Sequence, residues 1–206
     1  MFTGIVEGTA SATFEPVGSG AKLVLRMPPD WAVELGDSVS VSGCCLTVVS
    51  KELRALDAEH PDELDLWLGF DLSAETLART HLRDAHHREV NVERALRLSD
   101  RLGGHLVSGH VDGLGTLTRL FDRGDGGSEM HFQVPEGLER YLLEKGSITI
   151  DGVSLTVVEP RGRDFHVAVI PETLKRTTFG AARPGDRVHI EADLVGKWIE
   201  KLLPLR

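Results

Sequence analysis

The chain has 206 residues, 41% of them hydrophobic, and a formal net charge of −9. Its length allows one large core or two small ones, and a negative charge without a run of Lys or Arg argues against a nucleic-acid partner. The N-terminus lacks the cationic start of a secretory signal, and no apolar run reaches the roughly 18 residues of a membrane span. We therefore expect a cytoplasmic protein with no membrane contact. The only cysteines, Cys44 and Cys45, are adjacent, which excludes a disulfide between distant segments.

An internal repeat organises the sequence. Its matching blocks come in the same order in both copies: TGIVEG at 3–8 with SGHVDG at 108–113, GCCLTVV at 43–49 with GVSLTVV at 152–158, ETLART at 75–80 with ETLKRT at 172–177, and, more weakly, VNVERAL at 90–96 with VHIEADL at 188–194. The repeat predicts two homologous domains, residues 1–97 and 98–192, followed by a C-terminal segment, 193–206.

Each copy is rich in short strand signals. Runs of Val, Ile and Thr are separated by Gly, Pro and Asp, as in SVSVSG, GSITIDG and DFHVAVI. Such runs predict short antiparallel strands. We therefore expect an all-β protein in which each copy folds as a small barrel.

The apolar alternation shifts by one residue at Gly43, and again at the equivalent glycine of the second copy. Such a shift predicts a β-bulge, which re-aims the side chains that follow it. Cys45 and Thr47 then project together from the face away from the core, as do Ser154 and Thr156. In one copy alone, such residues would be interpreted as ordinary surface side chains. Their occurrence in both copies favours a functional pair on a rigid strand.

Both copies contain a short predicted helix after this strand region. In LSAETLARTHL, Ser73 is a candidate N-cap, and in IPETLKRTTFG, Pro171 occupies the first helical position. The two helices therefore belong to the repeated unit.

The segment GGHLVSGHVDG, residues 103–113, contains His105 and His110. An odd separation places them on opposite faces of a strand, and no third ligand accompanies them, so we expect no metal here. The repeat aligns His110 with Ile5, so only one of two equivalent positions carries a titratable side chain. This asymmetry favours an acid–base role for His110 over a purely structural one.

The final segment, DLVGKWIEKLLPLR, predicts an amphipathic helix. Its apolar residues recur at helical spacing from Val195 onward, while Lys197, Glu200 and Lys201 occupy the other face. No counterpart follows the first repeat. The helix therefore either packs on a barrel or binds another chain.

Five motifs in register resemble riboflavin synthases of the trimeric two-barrel type: MFTGIVEG, GCCLTVV, GGHLVSGHVDG, IDGVSLTVVE and IPETLKRTT. The resemblance covers nearly the whole chain. It implies two tandem six-stranded Greek-key β-barrels with short helices, and a C-terminal α-helix that joins three chains into a homotrimer.

The same resemblance implies the reaction. Two molecules of 6,7-dimethyl-8-ribityllumazine bind per active site, and a four-carbon transfer between them gives riboflavin and 5-amino-6-(D-ribitylamino)uracil. No metal or redox cofactor takes part. Lumazine synthase is the one protein partner that the resemblance suggests.

Two substrate cradles are also implied by the resemblance. The first comprises Cys45, Leu46, Thr47, Asp71, Leu72, Ser73, Ala74, Glu75 and Thr76, completed by Gly109, His110 and Val111 of another chain. The second comprises Ser154, Leu155, Thr156, Ile170, Pro171, Glu172 and Thr173, completed by Gly4, Ile5 and Val6 of another chain. Lys145 matches a family lysine near the ligand.

The catalytic candidates follow from these matches: His110, Cys45, Ser154, Thr156 and Asp193. We expect His110 to transfer a proton, and Cys45, Ser154 or a water to act as the nucleophile. Asp193 matches a carboxylate that the family places near the serine. His105 is assigned to the fold.

The sequence departs from the family pattern at three positions. Asn is common where Ser42 and His189 stand, and Tyr where Trp198 stands. These departures concern hydrogen bonding and helix packing.

A carrier that binds lumazine or flavin without catalysis is the alternative function, because fold alone does not determine activity. Such carriers lose polar site residues, which this sequence retains. The flavin-binding barrel of a reductase would require a following nucleotide-binding domain, which the 206 residues do not contain.

Overall fold

The computed structural model describes residues 1–55, 63–85 and 88–203, and the β-strands in this part of the chain form two barrels. Each barrel has its own apolar core. The two-barrel, mostly β architecture predicted from the repeat is confirmed.

The first barrel is closed, with strand order β1-β2-β5-β4-β3-β6 and β6 pairing back onto β1. Its inward-facing side chains, among them Leu23, Leu25 and Phe70, are fully buried. The strands are β1 (Gly8–Val17), β2 (Gly20–Met27), β3 (Ser38–Val41), β4 (Cys44–Ala55), β5 (Leu64–Leu72) and β6 (Arg88–Arg94). Helix α1 (Ala74–Arg79) and a 3₁₀ turn (Leu82–Ala85) lie between β5 and β6.

The second barrel repeats this order but has seven strands, in the order β10-β9-β13-β7-β8-β12-β11. The strands are β7 (Gly113–Asp122), β8 (Ser128–Gln133), β9 (Ser147–Ile150), β10 (Val153–Thr156), β11 (Val158–Arg161), β12 (Asp164–Val169) and β13 (Arg187–Ala192). A 3₁₀ turn (Glu139–Tyr141) precedes β9, and helix α2 (Pro171–Arg176) and a 3₁₀ turn (Thr178–Ala181) precede β13.

The extra strand arises because the equivalent of β4 is divided at Val157. Shortly after this point Glu159 adopts a left-handed φ of 47°, and the pairing of β11 with β12 shifts register between Val158 and Arg161. Pro160 cannot donate to the ladder. The expectation of six strands is therefore wrong for this barrel, although the path of the chain is conserved.

A tight turn, and not a bulge, follows β3. Val41 pairs with Cys44, and the two residues between them, Ser42 and Gly43, have φ of 44° and 83°. Positive φ at both positions is the signature of a two-residue hairpin turn. Residues directly opposite each other share a face, so such a turn resets the alternation by one residue. The predicted bulge is wrong, but the faces inferred from it are right. Asp151 and the glycine after it form the same turn between β9 and β10.

The two turns pack against each other where the barrels meet. A Cβ atom on Gly43 would lie 2.7 Å from the backbone nitrogen of Gly152, and a Cβ on Gly152 would lie 2.7 Å from the nitrogen of Gly43. The contact is symmetric, as expected for two copies of one unit. It brings backbone against backbone, which only glycine permits.

A short antiparallel ribbon also joins the barrels. Phe2 and Val107 exchange backbone hydrogen bonds of 2.8 and 3.1 Å. On either side of this ribbon the chain crosses over, because Val6 is buried in the core of the second barrel and Val111 packs against the core of the first. Each barrel therefore lends a segment to the other.

The three helices begin where the sequence predicts. The Ser73 hydroxyl accepts the N–H of Thr76 at 3.1 Å as the N-cap of α1, and Pro171 is the first residue of α2. Helix α3 (Leu194–Leu202) begins after Asp193, whose carboxylate accepts the Val195 N–H at 2.9 Å. In the described part of the chain, no helix has the length and apolar character needed to cross a bilayer.

Helix α3 presents its apolar face to solvent. Lys197 forms an ion pair of 2.6 Å with Asp112, and Glu200 accepts a hydrogen bond from the Tyr141 hydroxyl, so the polar face docks on the second barrel. On the opposite face Trp198 and Ile199 are 60% and 53% exposed. The predicted amphipathic helix is confirmed. Residues 204–206 lie outside the described residues.

We predict that Gly43→Ala destabilises the fold much more than Gly36→Ala. Both glycines have left-handed φ, 83° and 88°, but a Cβ on Gly36 has no atom within 4 Å. Gly36→Ala should cost about 1–2 kcal/mol from φ alone, and Gly43→Ala a further ~1–3 kcal/mol from the clash between turns. Urea unfolding of both variants measures the difference. Equal losses would show that the contact between the turns contributes nothing.

Candidate active site

The first predicted cradle lies on the outer face of β4. Cys44 and Leu46 are buried, whereas Cys45 is half-buried and Thr47 is exposed, as the alternation predicts. Val48 pairs with Phe70 of β5. The end of β5 that leads into α1 therefore lies beside Cys45 and Thr47. The start of α1 therefore follows directly from the strand that pairs with β4.

The two cysteines differ in chemistry. Burial, with the charges of Cys45 and Glu191 adding to it, raises the pKa of the Cys44 thiol to about 12. Cys44 therefore stays a protonated core residue, because the thiolate is the nucleophile. Of the two, only Cys45 reaches the surface of the cradle.

The second cradle contains a serine–histidine pair. Ser154 lies on the outer face of β10, and its Oγ is 2.7 Å from Nδ1 of His105. The other ring nitrogen of His105 is 3.1 Å from the hydroxyl of Thr149. If Nε2 donates to Thr149, Nδ1 accepts the proton of Ser154, which is the geometry of a hydroxyl beside a general base.

His105 is held neutral at neutral pH. Burial lowers its pKa, and the negative charge of Asp193 opposes this effect only in part. A neutral imidazole can accept a proton from Ser154. Asp193 therefore stands near the serine–histidine pair, as the family resemblance implies, while its carboxylate caps α3.

The sequence analysis assigned His105 to the fold and did not connect it with Ser154. The two residues are 49 positions apart, and no local pattern links them. The ribbon that contains Phe2 and Val107 brings them together, because the His105 N–H donates to the Thr3 carbonyl at 3.1 Å, one residue before Gly4. The pairing depends on the contact between the barrels.

Each cradle also receives the backbone segment that the sequence assigns to it. The Cys45 N–H donates to the Gly109 carbonyl at 2.8 Å, and the Ser154 N–H donates to the Gly4 carbonyl at 2.8 Å. A Cβ on Gly4 would lie 2.6 Å from the Cβ of Ser154, and one on Gly109 would lie 2.6 Å from that of Cys45. These contacts form within one chain, whereas the sequence analysis took the glycine segments from a neighbouring chain.

Two buried glutamates hold these segments in place. Glu93 accepts the N–H and hydroxyl of Thr3 at 2.7 and 2.8 Å and the N–H of Gly4 at 3.0 Å. Glu191 accepts the same three groups from Ser108 and Gly109, at 2.8, 2.7 and 3.0 Å. Burial raises the pKa of both carboxyls, and these hydrogen bonds oppose the rise. The sequence analysis missed both, although each Glu stands in the weakest repeat block.

The remaining predicted residues lie around the two strand pairs. Ile5 and His110 are exposed at equivalent positions, where each N–H donates to the preceding hydroxyl, Thr3 or Ser108. Ile170 is the exposed N-cap of α2. Lys145 has an exposed side chain, and its N–H donates to the carbonyl of Val157, the residue after Thr156. Within one chain, His110 directly follows Gly109, which contacts Cys45. His105, by contrast, contacts Ser154.

Comparison with known proteins identifies the family of the chain. The family model described as Lumazine binding domain matches residues 3–95 and again residues 108–193. A riboflavin synthase of Mycobacterium bovis is 41% identical over 98% of this chain and 98% of its own. The chain belongs to the riboflavin synthase family. A riboflavin synthase of Actinobacillus pleuropneumoniae is 38% identical over 98% of this chain and 90% of its own.

Solved structures share the fold of this riboflavin synthase family member. LumP complexed with 6,7-dimethyl-8-(1'-D-ribityl) lumazine superposes with a TM-score of 0.77, covering 93% of this chain and 99% of that chain. The sequence identity is 23%, so the likeness concerns the fold alone.

Two departures from the riboflavin synthase pattern contact each other. His189 donates from Nδ1 to the Ser42 carbonyl at 2.7 Å, and its Nε2 accepts the N–H of His81 at 2.9 Å. In the first repeat, the equivalent Asn91 donates to the Asp151 carbonyl at 2.8 Å and accepts the N–H of the residue equivalent to His81, Thr178, at 2.8 Å. The imidazole therefore replaces both hydrogen bonds of an amide.

This replacement makes the contact between the barrels sensitive to acid. Burial lowers the pKa of His189 to about 4, with the charge of His81 as the next cause. The unfolded chain protonates this residue near pH 6.5. Stability from His189 is therefore fully present above about pH 6.5 and is lost as the pH falls toward 4. His81 opposes this trend: burial disfavours its charged form, but Asp151 outweighs burial and raises its pKa.

We predict that His189→Asn removes part of the acid sensitivity of folding. Asn can make both hydrogen bonds and does not titrate. Between pH 7 and 5 the native chain should lose about 2 kcal/mol more unfolding free energy than the variant. Urea unfolding at the two pH values measures this difference. An equal loss in both proteins would show that the His189 imidazole is not held neutral in the fold.

Proposed function

We infer that the chain is a riboflavin synthase, an enzyme that converts two molecules of 6,7-dimethyl-8-ribityllumazine into riboflavin and 5-amino-6-(D-ribitylamino)uracil. The observation that carries this inference is the pair of like cradles with unlike titratable groups, in a chain 41% identical to a riboflavin synthase. Two identical substrates need two like binding surfaces. They also need different chemistry at each, because one molecule loses a proton and the other accepts a nucleophile.

The polar groups divide between these two tasks. Ser154, or a water in its place, is the oxygen nucleophile that adds to C7 of one lumazine, with His105 accepting its proton. His110, exposed near the first cradle, removes a proton from the 7-methyl group of the other lumazine. His105 is thus the general base for Ser154.

A non-catalytic carrier is the weaker alternative. The LumP structures share the fold at 23% identity, well below the identity to riboflavin synthases. The chain also retains Cys45, His110 and Ser154, the polar groups whose loss would indicate a carrier.

We propose that the two lumazines meet between chains. In one chain the Phe2–Val107 ribbon separates Cys45 from Ser154 by three strand spacings, about 15 Å. Reacting atoms must approach within about 3.5 Å. A first cradle facing the second cradle of a neighbouring chain satisfies this requirement. In this arrangement each first cradle keeps the His110 of its own chain, because the preceding Gly109 contacts Cys45 within one chain.

The proposed assembly is a homotrimer held by α3. Its apolar face, with Trp198 and Ile199, is exposed in the single chain, and an exposed apolar stripe of this kind marks an interface. The proposed domains are residues 1–97, residues 98–192 and the C-terminal segment 193–206. The proposed location is the cytoplasm, which two unpaired cysteines favour. Association with lumazine synthase rests on the family resemblance.

The decisive assay supplies purified protein, dialysed against a chelator, with the lumazine alone. We expect one riboflavin for every two lumazines consumed, followed by absorbance, with no added metal or nicotinamide. Binding of lumazine without riboflavin formation would favour the carrier. Activity that returned only on adding zinc would contradict the metal-free reaction.

We predict that His105→Ala lowers kcat by about 10²–10⁴-fold, because Ser154 loses its proton acceptor. In a Ser154→Ala background the same change should have little further effect, since the two residues act as a unit. His110→Ala is the matched comparison, and its loss should persist in both backgrounds. If His105→Ala costs the same factor with and without Ser154, the imidazole supports the fold and does not act through the serine.

A further inference from the structure

The outer face of the second barrel carries a cluster of two histidines and one carboxylate that the proposed reaction does not use. Glu129 and His131 project from the same face of β8, and His166 on β12 pairs directly opposite His131. Strand alternation fixes all three on one surface. Glu129 lies opposite Ala168, two residues before Ile170, and His166 lies four residues before it, so the cluster begins about 7 Å from Ile170 along the strand. None of its three residues belongs to the second cradle.

The three side chains converge on a common point. Nε2 of His131 is 2.7 Å from one oxygen of Glu129, and Nε2 of His166 is 4.0 Å from the other. The two imidazole rings stack with centroids 5.1 Å apart. Ligand atoms of a tetrahedral zinc ion, at bond lengths near 2.0–2.1 Å, lie about 3.3 Å from one another. One ligand atom from each of the three residues already lies within 4.8 Å of the other two, so a bound ion would draw the three side chains closer together.

Charge and accessibility also suit a cation. A carboxylate and two imidazoles offer one negative charge and two nitrogen donors, the ligand types that divalent transition metals bind. The side chains of His131 and His166 are 20% and 17% exposed, which leaves their ring nitrogens within reach of solvent.

A second such group, of His81, Asp151 and His189, differs in a decisive way. Both ring nitrogens of His189 already form hydrogen bonds to backbone groups, and the ring is fully buried. That group is part of the contact between the barrels. In the cluster on β8 and β12, by contrast, the one hydrogen bond between His131 and Glu129 joins two potential ligands and yields to a metal.

We propose that Glu129, His131 and His166 form a binding site for a zinc-like divalent transition metal, with water as the fourth ligand. Two imidazoles and one carboxylate favour such an ion over Mg²⁺ or Ca²⁺, which prefer all-oxygen sites. The metal joins β8 to β12. Because it binds the folded chain, it raises the free energy of unfolding.

The test titrates Zn²⁺ into the metal-free full-length protein by calorimetry, and Co²⁺ as a spectroscopic probe of four-coordinate geometry. We expect one ion per chain. His131→Gln and His166→Gln should each weaken zinc binding by at least about tenfold, and should abolish the rise in melting temperature that zinc causes in the native chain. Glu129→Gln, which preserves shape, is the second line of evidence should a histidine variant fold poorly.

The matched control replaces the adjacent pair His86 and His87 by Gln, because neighbouring histidines are one competing source of zinc affinity in the sequence. Zinc binding unchanged in this control and lost in the cluster variants supports the site. Binding that persists in the cluster variants, or that disappears in the control, overturns it.

Discussion

The close approach of two hairpin turns is the constraint on which the rest of the structure depends. Gly43 and Gly152 bring backbone against backbone, so each barrel can offer its turn carbonyl to a side chain of the other. Around this contact the same hydrogen bonds occur twice, from Asn91 in one direction and from His189 in the other. The internal repeat thereby becomes an approximate twofold arrangement, and a substitution in one copy must preserve the bonding that the other copy shows.

That arrangement explains how like cradles acquire unlike chemistry. Glu93 and Glu191 hold the two glycine segments with the same set of hydrogen bonds, so the backbone is alike in both cradles. Because the backbone is fixed in this way, the side chains that line the two cradles can differ. One strand carries Cys45, while the other carries Ser154 beside a buried imidazole. A reaction between two molecules of one substrate needs this combination. Both cradles must bind the same molecule, whereas one substrate loses a proton and the other accepts a nucleophile.

Much of the fold could be predicted from local pattern. The repeat blocks, the helix caps at Ser73 and Pro171, and the outward pair Cys45 and Thr47 each follow from spacing of a few residues. The turn at Gly43 was mistaken for a bulge because both devices shift the apolar alternation by one residue. The serine–histidine pair, 49 positions apart, and the His189 contact to Ser42, 147 positions apart, have no local signature. They exist only because the barrels pack as they do.

The central claim is that catalysis occurs between a first barrel and the second barrel of a neighbouring chain. It is tested by combining two variants, Cys45→Ala with Thr47→Ala and Ser154→Ala with Thr156→Ala, each of which damages every facing pair in its own homotrimer. In an equal mixture of the two variants whose subunits assort randomly, with mixed trimers verified by mass, about a quarter of all interfaces regain an intact facing pair. The account predicts a return of riboflavin formation in that proportion. Mixed trimers as inactive as either parent would contradict it and would place both lumazines within one chain.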